Sequence, residues 1–181
     1  MNNLPRQNCF FSKCRKYRWF LDIKISRSPN EIIFIGLNPS LSNHNFQDNT
    51  TKKIIKICGN AQYGRVKIIN LFGLISKTPK LLLSHEDPIG ELNNNTIICN
   101  LDYWSRNMKC DIWLGWGNKG KLFGRNIHVL TLLNDYYGLK KINFINPLPP
   151  LIIKKTKNLQ PIHPLYCSDK SELQKSDIFK E

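Results

Sequence analysis

Short apolar runs recur along this chain, with stretches of helical length and pattern between them. Glu31–Gly36 (EIIFIG) is continuous rather than alternating, as in strands buried on both faces. Val66–Leu71 (VKIINL), Asp111–Leu114 (DIWL) and Lys141–Asn146 (KINFIN) read as three further strands. Between them, Thr50–Gln62 carries Ile54, Ile55 and Cys58 at helical spacing, with Asp48 or Asn49 placed to cap it. Glu91–Arg106 and Lys119–Tyr137 read as two more helices. Strands alternating with helices predict an α/β fold: a three-layer α/β/α sandwich with a mostly parallel central sheet. Residues 9–25 predict an edge strand or hairpin, Ser40–Gln47 a polar loop, and 76–90 a loop punctuated by Pro79, Pro88 and Gly90.

At 181 residues the chain is expected to be a single domain, with its core over about 9–167. Residues 1–8 are expected to be loose, and 168–181 to form a polar tail or short final helix. The longest apolar run, Ile32 to Leu37, falls far below the roughly 20 residues of a membrane span. The polar, basic N-terminus lacks a secretory pattern, which predicts a cytoplasmic protein with no membrane partner. Of the six cysteines, Cys9, Cys14, Cys58, Cys99, Cys110 and Cys167, no two have C-x-x-C spacing. Cys58 and Cys110 read as small core residues. The histidines His44, His85, His128 and His163 have no metal-ligand spacing. No metal and no cofactor is expected.

The charge is one-sided. Lys plus Arg number 27 against 13 Asp plus Glu, a net charge of +14. AT-rich codons favour Lys, Asn and Ile, but they favour Asp and Glu too, so codon drift does not explain the imbalance. A polyanionic partner, DNA or a nucleotide, is the expectation.

In parallel α/β sheets, ligands bind at the carboxyl ends of the strands. The first predicted strand ends in Gly36-Leu37-Asn38-Pro39-Ser40. Asn38 there has the groups to hold and orient a water molecule, and Gly36 permits close backbone approach. The second ends in Asn70-Leu71-Phe72, where an amide is placed to read a base edge and an aromatic ring to stack on it. The third ends in Gly115-Trp116-Gly117-Asn118-Lys119-Gly120. This is formally G-x-G-x-x-G, but the following predicted strand ends in Asn146 and Asp135 precedes it, so a dinucleotide site is not supported. The glycines instead suggest a helix N-terminus close to an anion or base, with Asn118 and Lys119 beside it. His163, bracketed by Pro161 and Pro164, is placed to donate to a developing negative charge. Asp48 and Asp87 are the nearest loop carboxylates.

Two resemblances follow from these segments. Asn38-Pro39-Ser40, Asp48-Asn49-Thr50, Asn70-Leu71-Phe72, Asp87 to Gly90, Trp116-Gly117-Asn118 with Gly120, and His163 to Tyr166 occur in an order that resembles the bacterial and phage family called domain of unknown function 1643. That resemblance covers about residues 10–167. More distantly, Gly36–Ser40, Asn70, Leu114–Gly117 and His163-Pro164 resemble the motifs of the uracil-DNA glycosylase superfamily, in the same chain order. The second resemblance implies a glycosylase-like fold and hydrolysis of an N-glycosidic bond to uracil or another modified base in DNA. It implies that Asn38 positions the attacking water, Asn70 reads the base and His163 donates to the leaving base. Two departures stand out. Leu165 occupies the place of a Ser that grips a DNA phosphate, and Ser40 the place of a frequent Gly. Leu165 is instead suited to wedging a duplex open. A nucleic-acid binder without catalysis and an enzyme acting on free nucleosides or nucleotides remain as alternatives.

Overall fold

The computed structural model describes residues 7–40, 47–78 and 80–177. Most of the expected Ser40–Gln47 loop, including His44, lies outside them, as do residues 1–6, Pro79 and the last four residues.

Seven strands form one sheet. They are β1 (Gln7–Phe11), β2 (Arg18–Lys24), β3 (Glu31–Gly36), β4 (Arg65–Asn70), β5 (Cys110–Leu114), β6 (Leu151–Ile152) and β7 (Gln174–Lys175). Their order is β1-β2-β4-β3-β5-β6-β7. The centre, β4-β3-β5-β6, is parallel. The outer strands β1, β2 and β7 run antiparallel to their neighbours. Four helices complete the fold: α1 (Asn49–Asn60), α2 (Lys80–Ser84), α3 (Asn93–Ser105) and α4 (Arg125–Asn143).

Side chains alternate across the sheet, which builds two cores from each run of apolar residues. Ile32, Phe34, Val66, Ile68 and Trp113 face α1, where they meet Ile54, Ile57 and Cys58. Ile33, Ile35, Ile69, Ile112 and Leu114 face the other way, onto Ile97, Leu101 and Trp104 of α3 and Val129 and Leu133 of α4. Helices therefore cover both faces. Each fully buried Ile or Leu contributes about 1.5–3 kcal/mol of transfer free energy. Asp48 caps α1, accepting from the Thr51 amide at 2.8 Å. The predicted hairpin is β1–β2.

Four sequence expectations are corrected. Lys141–Asn146 is not a strand: α4 runs on to Asn143, and the next strand is Leu151–Ile152. Ile142 and Ile145 are 81% and 89% exposed, so the alternation in KINFIN lines no sheet. The strand is the short apolar run after Pro149 and Pro150, which its flanking prolines disguise. The helix expected from Lys119 is instead a 3-10 turn over Asn118–Gly124, with α4 starting at Arg125. Positive φ at Phe123 (53°) and Gly124 (65°) breaks the helix there. The C-terminal segment forms β7 rather than a helix within its described part, and residues 76–90 include the short α2.

The connections define where a site forms. From β3 the chain passes through α1 on one face to β4; from β5 it passes through α4 on the other face to β6. Since β3 and β5 are neighbours, their exit loops part in opposite directions. A crevice at their carboxyl ends is the usual ligand position in such sheets.

Candidate functional site

The crevice holds a cavity of about 780 Å³. Leu37, Asn38 and Ser40 enter it from the β3 exit, Trp116, Gly117, Asn118 and Lys119 from the β5 exit, and His163, Leu165 and Tyr166 from the segment after β6. The volume lies within the range of small-molecule sites.

Asn38 is fixed by its own hydrogen bonds. Its Nδ2 donates to the Pro39 carbonyl at 3.0 Å and the Ser76 carbonyl at 2.9 Å. Two carbonyl acceptors determine the amide orientation, because an oxygen in the same place would face lone pairs. Oδ1 is left as an acceptor with no partner among the described residues.

His163 begins a 3-10 turn, Pro164–Tyr166, and its Nδ1 accepts from the Leu165 amide at 3.3 Å. The neutral ring therefore carries its proton on Nε2. Burial pushes the His163 pKa below its ordinary 6.5, against a smaller upward pull from Asp48. The ring is neutral at pH 7 and presents an N–H donor.

The glycines of the β5 exit serve packing. A Cβ at Gly115 would lie 2.5 Å from the Phe34 ring, and one at Gly120 2.1 Å from the Trp116 ring. Gly117 has φ 68° and ψ −172°, a region essentially restricted to glycine. Its amide donates to the Pro161 carbonyl at 2.8 Å, tying the β5 exit to the segment carrying His163. Only a short 3-10 turn, Asn118–Gly124, starts after Gly117, and α4 begins further on at Arg125, so the expected α-helix N-terminus beside these glycines is not formed. Asn118 accepts from the Thr156 hydroxyl at 2.5 Å, and Lys119 is exposed at the rim.

Asn70 and Phe72 do not line the cavity. Phe72 is fully buried against Phe123 and the α3–α4 core, so its expected stacking role is corrected: a ring packed inside the core has no free face. Asn70 pairs with Gly36 in the sheet and is 3% exposed. A Cβ at Gly36 would lie 2.7 Å from Asn70 Oδ1, which is why glycine stands there. The Nδ2 of Asn70 is buried without a hydrogen-bond partner among the described residues. Such a group costs about 1–3 kcal/mol unless something satisfies it.

Several lining residues were given no site role from the sequence: Thr50, Trp116 and Tyr166, which lie within its motifs, and Ser76, Lys77 and Lys154. Trp116 lies within the W-G-N segment, and a large aromatic between two glycines was its available signal. Its indole donates to buried Gln160 at 3.1 Å. Lys77 and Lys154 reach the rim only because β4 and β6 end beside it, which no local pattern reveals.

The profile of the family described as protein of unknown function, DUF1643, matches residues 18–165, and the chain belongs to that family. No curated protein and no solved structure matches the chain.

Proposed function

For this member of the DUF1643 family, we propose a glycosylase-like hydrolase that releases uracil or another modified base from DNA by cleaving its N-glycosidic bond. The observation that carries this reading is the pairing, on one cavity, of an amide locked as an acceptor with a histidine locked as a neutral donor. N-glycoside hydrolysis needs those two polarities on opposite sides of the breaking bond.

In this reading Asn38 Oδ1 accepts a hydrogen bond from a water and directs its oxygen at the sugar C1′. The bond from C1′ to the base nitrogen breaks, and its electron pair leaves with the base. His163 Nε2–H donates to the base oxygen on which that charge develops. The water's oxygen ends on C1′, and its released proton passes to solvent or to the departing base. A neutral donor suits this task because the ring need not lose its own proton. The buried Nδ2 of Asn70 lies outside the cavity lining, so a part for it in reading a base carbonyl requires the base to enter deeper than the described cavity. Leu165, 46% exposed on the turn that follows His163, is suited to hold open a stack. Lys77, Lys119 and Lys154 supply positive charge for phosphates around the same rim.

The test is base release from single- and double-stranded oligonucleotides containing uracil, hypoxanthine, a thymine mismatch or hydroxymethyluracil, with alkaline cleavage at abasic sites. Strand cleavage lost in Asn38→Ala is the expected result. Absence of cleavage on every substrate, from folded protein that still retards DNA on a gel, replaces the enzyme with a binding protein.

A further inference from the structure

The β1–β2 hairpin, rich in aromatic and basic residues, is not used by the site so far described. Its turn carries Lys13, Arg15 and Lys16, all exposed and with no ion pair among the described residues. Strand β2 runs antiparallel to β4, so this turn emerges at the carboxyl end of the parallel strands, the end that holds the cavity.

The turn is held firmly. The Ser12 amide donates to the Tyr17 carbonyl and the Arg15 amide to the Ser12 carbonyl, both at 3.0 Å. Arg15 has a left-handed backbone, φ 58°, and its guanidinium lies over the Phe11 ring at 5.1 Å. A non-glycine residue held there is uncommon, and such outliers concentrate at functional sites. Two further bonds tie the turn to the site. The Lys16 carbonyl accepts from the Ile75 amide at 2.9 Å, and the next carbonyl, that of Ser76, accepts from Asn38 Nδ2. Lys77 follows on the cavity rim. Between β2 and β3 lies only β4, so two strand spacings, about 10 Å, separate the root of the turn from Asn38.

We propose that Lys13, Arg15 and Lys16 form a phosphate clamp for a polynucleotide strand leaving the cavity past Lys77. The substrate of the site is then a polymer and not a free nucleotide. The inference rests on the cavity being a nucleobase site.

The test compares the full chain with a variant carrying Lys13→Ala, Arg15→Gly and Lys16→Ala. Glycine at 15 removes the guanidinium while suiting the left-handed backbone, and an unchanged melting temperature checks the fold. A labelled 15-nucleotide single strand and free deoxyuridine monophosphate are titrated between 50 and 200 mM salt. Each phosphate contact contributes about −0.7 to the slope of log K against log salt for a single strand. The expected result is a slope shallower by about 2 for the oligonucleotide, with mononucleotide binding unchanged. A control variant, Lys24→Ala with Lys109→Ala and Lys141→Ala, removes exposed lysines elsewhere on the molecule and is expected to keep the slope. The clamp is overturned by an unchanged slope in the turn variant, by an equal loss in the control variant, or by no oligonucleotide binding at 50 mM salt. Base release that persists with an unchanged slope removes the clamp alone. A shallower slope in a protein that releases no base keeps the clamp and removes the glycosylase reading.

Discussion

The two ends of the parallel sheet treat polar groups in opposite ways. At the amino end several buried or charged side chains find partners. Arg65 grips both oxygens of Asp22, Tyr63 donates to Asp111 at 2.7 Å, and Tyr103 donates to Glu31 at 2.6 Å. Lys140, only 1% exposed, donates to the Cys110 and Asn107 carbonyls at 2.6 and 3.3 Å and lies over the Trp104 ring. At the carboxyl end, among the described residues, Asn38 keeps an acceptor and Asn70 a buried donor without partners, and the lysines of the rim are mostly unpaired. One of them, Lys155, meets Asp177 at 2.6 Å. These pairs at the amino end tie the fold together; under the proposed function, the spare groups at the carboxyl end meet the substrate. Substitutions at the two ends therefore separate stability from activity.

The largest separation is expected at Asn38. Asn38→Ala loses base release by about a thousandfold, or about 4 kcal/mol of transition-state stabilisation, as when a preorganised polar group is removed. Its melting temperature falls by only about 2–4 °C, for two exchanged backbone hydrogen bonds. Steady-state assays beside thermal melts decide it, and a collapse of stability at this position would erase the distinction between the ends.

Lys140→Ala gives the opposite pattern. It strands two buried carbonyls and leaves a void, at about 3 kcal/mol, which is a melting shift of roughly 6–12 °C for a chain of this size. Activity per folded molecule is expected to be unchanged in a calorimetry and activity pair. Gly117→Ala falls between them: forcing a side chain into that backbone costs about 2 kcal/mol, and the Pro161 bond that places His163 is strained with it. Both readouts should drop together.

A smaller effect is expected at Asn70. Asn70→Ala removes an amide that makes no hydrogen bond among the described residues, so stability changes by less than about 1 kcal/mol while base affinity falls about tenfold, by about 1.4 kcal/mol. A loss of stability without loss of affinity would make Asn70 a structural residue.

The mildest test is pH. The folded-state pKa of His163 lies below the 6.5 of an unfolded chain, chiefly through burial. The neutral ring's contribution is therefore complete above pH 6.5 and is lost as pH falls through the folded value. Activity should be level from pH 6.5 to 8 and decline on the acid side with a midpoint below 6.5. Asp48→Asn keeps a capping side chain but removes the upward pull, so the midpoint should move further down. A midpoint that moves up would show that the carboxylate acts otherwise.

Glu31–Gly36 was legible because a buried parallel strand must be apolar on both sides, and the Asp48 cap because its chemistry is local. Asn38 and His163 were legible because each is an unusual residue in a stiffened loop at an element's end. Their meeting on one cavity was a consequence of strand order, which no single segment contains. Leu151–Ile152 was missed because a two-residue strand directly after two prolines carries no period. Phe72 misled because burial on the α3–α4 face depends on side-chain alternation continuing past the strand end, which the exit loop itself decides.

The Asn38 amide behaves as a carboxylate without the charge. A carboxylate in its place would draw the rim lysines inward and repel a phosphodiester; the amide does neither. It also cannot titrate, so this side of the cavity is blind to pH. Nor can it turn over, since both its hydrogens are committed to carbonyls. The position selects partners that have a proton to offer, and a ligand carbonyl must go elsewhere in the cavity.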